Sequence, residues 1–348
     1  MPCPLRVRQC TVAHNMIERD TIVVGGGPAG SSAAWQLTNQ GMQCLVLDRE
    51  QFPREKLCAG WITPEVLTDL AFEEKDYPHR FLTFDALKVS LWRLPMTLPA
   101  KQHSIRRFEF DHWMLERSGA EVAVHIVRHV KPVTDGYEID GTYYCRNLIG
   151  AGGTRCPVYR DLVRDQHPRD KTLQAVALEL EYPYDWQDAN CYLWFLTNGL
   201  PGYSWYVPKA DGYLNIGVGG IADKLKHSDA DIRWHWDQLI ERLRRRGLVK
   251  DLSNEPKGYS YFLRDRNPLA LPQNLHIIGD SRGLATRDMC EGIGPAVQSG
   301  IAAAKAIARP TKTDESQIDA FTLDHELFRR ALEWRFLREH HANLQAPN

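Results

Sequence analysis

The sequence predicts an α/β protein of two domains: a Rossmann-like nucleotide-binding domain with a mostly antiparallel β domain inserted in it. Three observations carry this. The short run Thr21-Ile-Val-Val24 breaks into the turn Gly25-Gly-Gly-Pro-Ala-Gly30, followed by a helical stretch and a second apolar run. Far downstream, another apolar run ends in Gly279-Asp280. Between them, Leu173–Gly220 reads as short, aromatic-rich strands separated by Pro, Gly, Asn and Asp.

In the first unit, Gly25 permits the tight turn and Gly27 lets backbone approach a pyrophosphate. Gly30 lets the helix lie close to the sheet. Pro28 and Ala29 open that helix, whose free N–H groups suit phosphate oxygens. The helix runs to Gln40 and stops at Gly41. Cys44–Leu47 is the second buried strand, and Asp48 at its end, eighteen residues after Gly30, is placed to accept from a ribose hydroxyl. Arg49 follows beside the same ligand.

Residues 50–115 are mixed, with a helix over Phe110–Ser118. Alternation over 121–130 predicts a strand carrying His125 and His129, so that i,i+4 pair need not share a metal. Tyr137–Ile149 reads as a hairpin ending in Gly150-Ala-Gly-Gly153. Strands are expected at Leu173–Tyr182, Cys191–Leu196, Tyr203–Val207 and Tyr213–Gly219. A helix over 229–246 carries Ile232, Trp236, Leu239, Ile240 and Leu243 on one stripe, with Gly247 at its stop. Leu275–Ile278 is another buried strand, and the chain is helical from about Pro295. The expected division is a nucleotide-binding domain over 16–172 and 257–310, taking in part of the substrate-side sheet at 80–100. A β-rich substrate domain spans 173–256 and C-terminal helices span 311–348. Residues 1–15 are read as a disordered extension, or as the product of a start ahead of the true one at Met16.

With 43 Lys+Arg against 44 Asp+Glu in 348 residues, the formal charge is −1, which argues against a nucleic-acid partner. No stretch approaches the ~20 apolar residues of a spanning helix; peripheral membrane contact stays open. Eight scattered cysteines without a C-x-x-C pair argue against a disulfide framework or a metal site and suit a cytoplasmic protein.

One βαβ unit does not separate NAD from FAD. The second element, Gly279-Asp280 followed by Glu291-Gly-Ile-Gly-Pro295, does. Asp280, at a strand end, suits ribityl or pyrophosphate groups of a longer ligand. Gly292, Ile293 and Gly294 open another helix whose positive end would face the flavin ring and stabilise its anionic reduced form. Two glycine-opened helices sharing one extended dinucleotide predict FAD.

On these residues the chain resembles the geranylgeranyl-reductase-like branch of the FAD oxidoreductases that share the p-hydroxybenzoate hydroxylase fold. Their FAD domain is of the glutathione-reductase type. The likeness runs from Met16 to about Ala308. Arg107-x-x-Phe110-Asp111-x-Trp113 looks like the family helix whose arginine contacts FAD. Lys56-Leu-Cys58-Ala59-Gly60 looks like the reductases' Cys-x-Gly turn beside the flavin. Tyr203-x-Trp205-x-x-Pro208-Lys209 is similar to their Tyr-x-Trp-x-Phe-Pro-Lys segment. Where the family often has Gly-Ala-Asp-Gly, this chain has Gly150-Ala151-Gly152-Gly153. That departure implies slow direct reduction by NAD(P)H, with an external reductase or carrier as the other source of electrons.

Candidate chemistry follows. Cys58 is either a thiol that exchanges electrons or protons, its pKa lowered by Lys56 or Arg54, or a small residue lining the flavin pocket. A redox pair with Cys290 is the further alternative. Tyr203 and Trp205 share one strand face, suited to a bulky apolar or aromatic substrate or to an inter-sheet core; Trp61 has the same two readings. Lys209 meets an anionic group or caps the next turn. The flavin carries the reaction, so no nucleophile is required. Reduction of a prenyl-type C=C bond is the leading reading. A monooxygenase acting on an aromatic ring, including a tryptophan of a partner protein, is the alternative. A non-catalytic electron-transfer partner is the third. Halogenation is disfavoured because Tyr203 replaces the first Trp of the Trp-x-Trp-x-Ile-Pro signature.

Overall fold

The computed structural model describes residues 16–337 apart from 93, 251, 253, 311, 312, 324 and 325, so the expectations for 1–15 and for 338–348 lie outside it. In chain order the regular elements begin with β1 (Ile17–Val24), α1 (Pro28–Asn39), β2 (Cys44–Asp48), β3 (Trp61–Ile62) and α2 (Pro64–Asp69). Next come β4 (Leu82–Leu91), β5 (Leu94–Ser104), α3 (Arg107–Arg117), β6 (Glu121–Val124), β7 (Val130–Val133), β8 (Gly136–Ile139), β9 (Tyr143–Gly150) and α4 (Pro157–Leu162). The next stretch holds β10 (Gln174–Pro183), β11 (Cys191–Phe195), β12 (Gly202–Lys209), β13 (Tyr213–Ile221), α5 (Ala222–Lys226) and α6 (Ile232–Arg245). Last are β14 (Lys257–Phe262), β15 (Leu275–Ile277), α7 (Ile293–Ala308) and α8 (Glu326–Leu337).

The first sheet runs β6-β2-β1-β9-β8-β7, with β15 also paired to β9. Its centre is parallel: Val23 aligns with Val46 on one side and Ile149 on the other. Ile22, Val23 and Val24 are all buried, as expected for a strand covered on both faces. Helices α1 and α7 cross with no room to spare. A Cβ on Gly300 would fall on Ser32 and Ala29, and one on Gly279 would stand 2.9 Å from the Ala29 Cβ.

The second sheet runs β14-β10-β13-β12-β11-β4-β5-β3. Besides the 173–256 block it takes in the β4–β5 hairpin, which falls on the substrate-side segment expected at 80–100, together with β3 and β14. Strand alternation sorts its two sides. Tyr203, Trp205 and Val207 join Ala175, Ala177 and Trp61 in one apolar cluster, whereas Tyr206, Leu214, Ile216 and Val218 join Trp236, Leu239 and Leu243 of α6 on the other. Asp231 caps α6 by accepting from the Trp234 N–H at 2.8 Å.

One strand is shorter than expected. The 121–130 segment stops pairing at Val124. His125 leaves the sheet to bond Asp140 at 2.8 Å, and Asp140 also accepts from the Arg128 and His129 N–H groups.

Candidate active site

The switch from strand to helix at Gly25 faces a cleft of about 740 Å³ between the two sheets. Gly25, Gly27, Pro28, Ala29, Asp48 and Arg49 line it from the first βαβ unit. Asp280, Gly292 and Ile293 line it from the far element, and Cys58, Ala59, Gly60 and Arg107 from between. Trp61, Tyr203 and Trp205 form the wall on the second sheet. Gly30, Gly279 and Gly294 do not face the cleft. Behind it, Gly30 lies under the Gly25 carbonyl, Gly279 lies against Ala29, and a Cβ on Gly294 would stand 3.1 Å from Glu291 Oε2. Two stretches far apart in sequence therefore wall one cavity.

Several details suit a dinucleotide. Gly25, at φ +110°, lies against the Ala151 carbonyl where a Cβ would clash. Asp48 accepts from the Gly26 N–H at 2.7 Å and the Glu50 N–H at 2.9 Å, which fixes its carboxylate beside the turn with lone pairs left over for a hydroxyl. Arg107 makes a two-point pair with Asp111 at 2.6 and 2.7 Å, and Arg54 reaches the same carboxylate at 3.4 Å. The buried Arg54 Nη1 has no acceptor among the described residues, and its Nη2 would lie 3.4 Å from a Cβ on Gly27. A guanidinium with an orphaned N–H beside the phosphate turn fits an anionic pyrophosphate. Sequence reasoning assigned Arg54 only an influence on Cys58; the arginine pairing through Asp111, on another helix, was invisible to it.

Three expectations are corrected. Lys209 is 1% exposed and donates to the carbonyls of Ala59, Gly60 and Ile105, so it braces the Cys58–Gly60 turn instead of meeting a substrate anion. Gly60 must be glycine: it sits at φ +64° with Lys209 Nζ 2.7 Å from where its Cβ would be. The Cys58 thiol is pushed up by burial against the pull of Arg107, not down. Its Sγ accepts from the Gly60 N–H. Cys290 is likewise pushed up by burial, to about 12, and both are free thiols. Finally, the N-terminus of α7 is already met by a protein carboxyl group, because Glu291 accepts from the N–H groups of Ile293 and Gly294.

The aromatic wall is held from behind. Tyr203 donates to the Met289 carbonyl, and the Trp205 Nε1 donates to Asn215 Oδ1 at 2.7 Å. Their ring centroids are 5.7 Å apart. Nearby, Tyr259 donates to Asp280 at 3.1 Å and its ring carries the Lys56 ammonium 3.2 Å from the centroid. Burial and the Arg107 charge pull Lys56 down to about 8.

Fold and cleft together define an oxidoreductase of the two-domain, dinucleotide-binding type. A family model described as an NAD(P)-binding Rossmann-like domain matches residues 23–85. The chain is 30% identical over 327 residues to a menaquinone reductase of Mycobacterium tuberculosis, covering 83% of this chain and 76% of that one. A digeranylgeranylglycerophospholipid reductase of Methanosphaera stadtmanae is 23% identical, over 85% of this chain and 79% of its own length. Among solved structures, a geranylgeranyl bacteriochlorophyll reductase-like protein of Thermoplasma acidophilum superposes with a TM-score of 0.73 at 20% identity, covering 93% and 85%. The chain belongs to the geranylgeranyl-reductase-like family of flavin-dependent oxidoreductases. Among the described residues no helix is long and apolar enough to cross a membrane, and no cluster of His, Cys, Asp and Glu could hold a metal ion.

Proposed function

We propose that the chain binds FAD and uses the reduced flavin to saturate a C=C bond of a long apolar, prenyl-type substrate. One observation carries the reading: a single cleft is walled both by the Gly25–Ala29 turn and by the Trp61–Tyr203–Trp205 face. A cavity of about 740 Å³ has room for a dinucleotide whose ring end reaches the aromatic wall. The bound flavin supplies the two-electron chemistry that no side chain here provides. Arg54 and Arg107 would neutralise the pyrophosphate, Asp48 would take the ribose hydroxyls and Asp280 the far end of the ligand. Trp61, Tyr203 and Trp205 would hold an apolar chain and exclude water from the reacting carbon.

The relatives named as reductases of menaquinone and of a digeranylgeranyl lipid support a prenyl-type substrate. The 150–153 turn carries no carboxylate. We therefore take an external reductase or carrier as the electron source, with direct reduction by NAD(P)H slow.

The test has two parts. Cofactor released from purified protein should have the mass of FAD; colourless protein that FAD does not reconstitute overturns the reading. Photoreduced enzyme should then be reoxidised anaerobically by a prenyl alkene, giving a product two hydrogens heavier. Reduced enzyme inert to alkenes, but consuming oxygen in step with hydroxylation of an aromatic compound, would replace the reductase by a monooxygenase.

A further inference from the structure

Alkene saturation needs a proton as well as a hydride, and one group in the cleft is built to give it. Glu179 lies on β10, two and four residues after Ala177 and Ala175, and all three side chains face the cleft. It is 4% exposed, and its Oε1 has no donor among the described residues. A buried carboxyl oxygen without a donor is destabilising unless function retains it. Gly217, its partner on β13, has no side chain, so Glu179 and the Trp205 indole are neighbours across the bare backbone.

Three other proton-bearing groups of the cleft are committed elsewhere. Tyr203 donates to Met289, and Lys56 lies over the Tyr259 ring. Glu291 is held by two backbone N–H groups at the start of α7.

We propose that Glu179 is the catalytic acid that protonates the substrate double bond. This rests on the alkene-reductase reading above. The π pair of the alkene forms a C–H bond to the carboxyl proton, and the adjoining carbon takes hydride from reduced flavin. The π bond is lost, two C–H bonds form and the flavin is left two-electron oxidised. Glu179, now a carboxylate, recovers its proton from water. The charged and titratable groups around it are Lys56 and Cys58 from the 54–60 turn, Arg107 of α3, Glu181 of β10 and Lys209 of β12. Burial outweighs the pull of Lys56 and holds the Glu179 carboxyl up at about 7, so the donor form is populated at neutral pH and lost above it.

Glu179→Gln and Glu179→Asp test this. In protein without cofactor, infrared titration should show protonated-carboxyl absorption that disappears as pH rises through about 7, and Glu179→Gln should lose part of it, leaving the share of Glu291. Identical titrations of wild type and Glu179→Gln overturn the proposal. In flavin-loaded protein, Glu179→Gln should bind flavin and be photoreduced as the wild type is. Its alkene-dependent reoxidation should slow about a hundredfold or more, with partial rescue by Glu179→Asp. Wild-type rates in Glu179→Gln overturn the acid and leave the reductase standing. A wild type that reduces no alkene overturns the reductase reading, and the acid with it.

Discussion

Gly217 on β13 pairs with Trp205 on β12, and the indole occupies the space where a Cβ on the glycine would stand. The same Cβ would come 2.9 Å from that of Glu179 on the opposite neighbour, β10. The bare strand thus lets an aromatic ring and a buried acid meet at the cleft.

Gly217→Val should therefore push Trp205 off Asn215 and into the cleft. Overpacking of this kind costs about 1–3 kcal/mol. Urea unfolding should show the loss. An unchanged midpoint would mean that the indole has somewhere else to go.

Lys209 makes a separate case. Its ammonium is the shared donor for three carbonyls at the base of the Cys58–Gly60 turn. Lys209→Met should cost about 3 kcal/mol or more, since hydrogen bonds from a charged donor contribute about 1.5–3 each and their acceptors stay buried. Flavin retention should fall with stability. A variant of normal stability whose only defect is a raised KM would restore the substrate-anion role that the sequence suggested.

How far the sequence reached depended on the range of the interaction. The βαβ unit was legible because its signals are local: an apolar run, glycines at fixed spacing and an acid at the next strand end. The meeting of the Gly279-Asp280 element with the Gly25–Gly30 turn was legible because each follows the end of a short apolar strand, β1 or β15, and these flank β9 in one parallel sheet. Lys209 was misjudged because a lysine reads as exposed until three carbonyls from two distant segments are seen around it. Arg54 was read only as a cation near Cys58, and Glu179 gave no signal at all. Each matters through an absent partner, and absence of a partner is a property of the fold alone.

Arg54 yields a binding prediction. Its unpartnered N–H lies beside the phosphate turn, so Arg54→Ala should weaken flavin binding by about ten- to a hundredfold, the range of one charged hydrogen bond. The fold should survive, since Asp111 keeps its two-point pair with Arg107. Titration of the protein with FAD, followed by quenching of flavin fluorescence, measures this. Equal affinities would move the pyrophosphate elsewhere.

Glu179 also makes stability depend on pH, and the sign follows from its raised folded-state value. Unfolded, the carboxyl releases its proton near its ordinary value of 4.5; folded, it holds the proton until about 7. Between those values the unfolded chain binds fewer protons, so stability falls as pH rises, then levels off once the folded carboxyl ionises. At about 1.4 kcal/mol per unit, the full loss is about 3–4 kcal/mol. Burial also holds Glu291 at about 7, which adds a slope of the same sign. The comparison that isolates Glu179 is therefore wild type against Glu179→Gln. Urea unfolding of the cofactor-free proteins at pH 5 and pH 8 should show the wild type losing about 2–3 kcal/mol more than the variant over that interval. Parallel pH profiles would mean that Glu179 is already ionised in the folded cleft and has no proton to give.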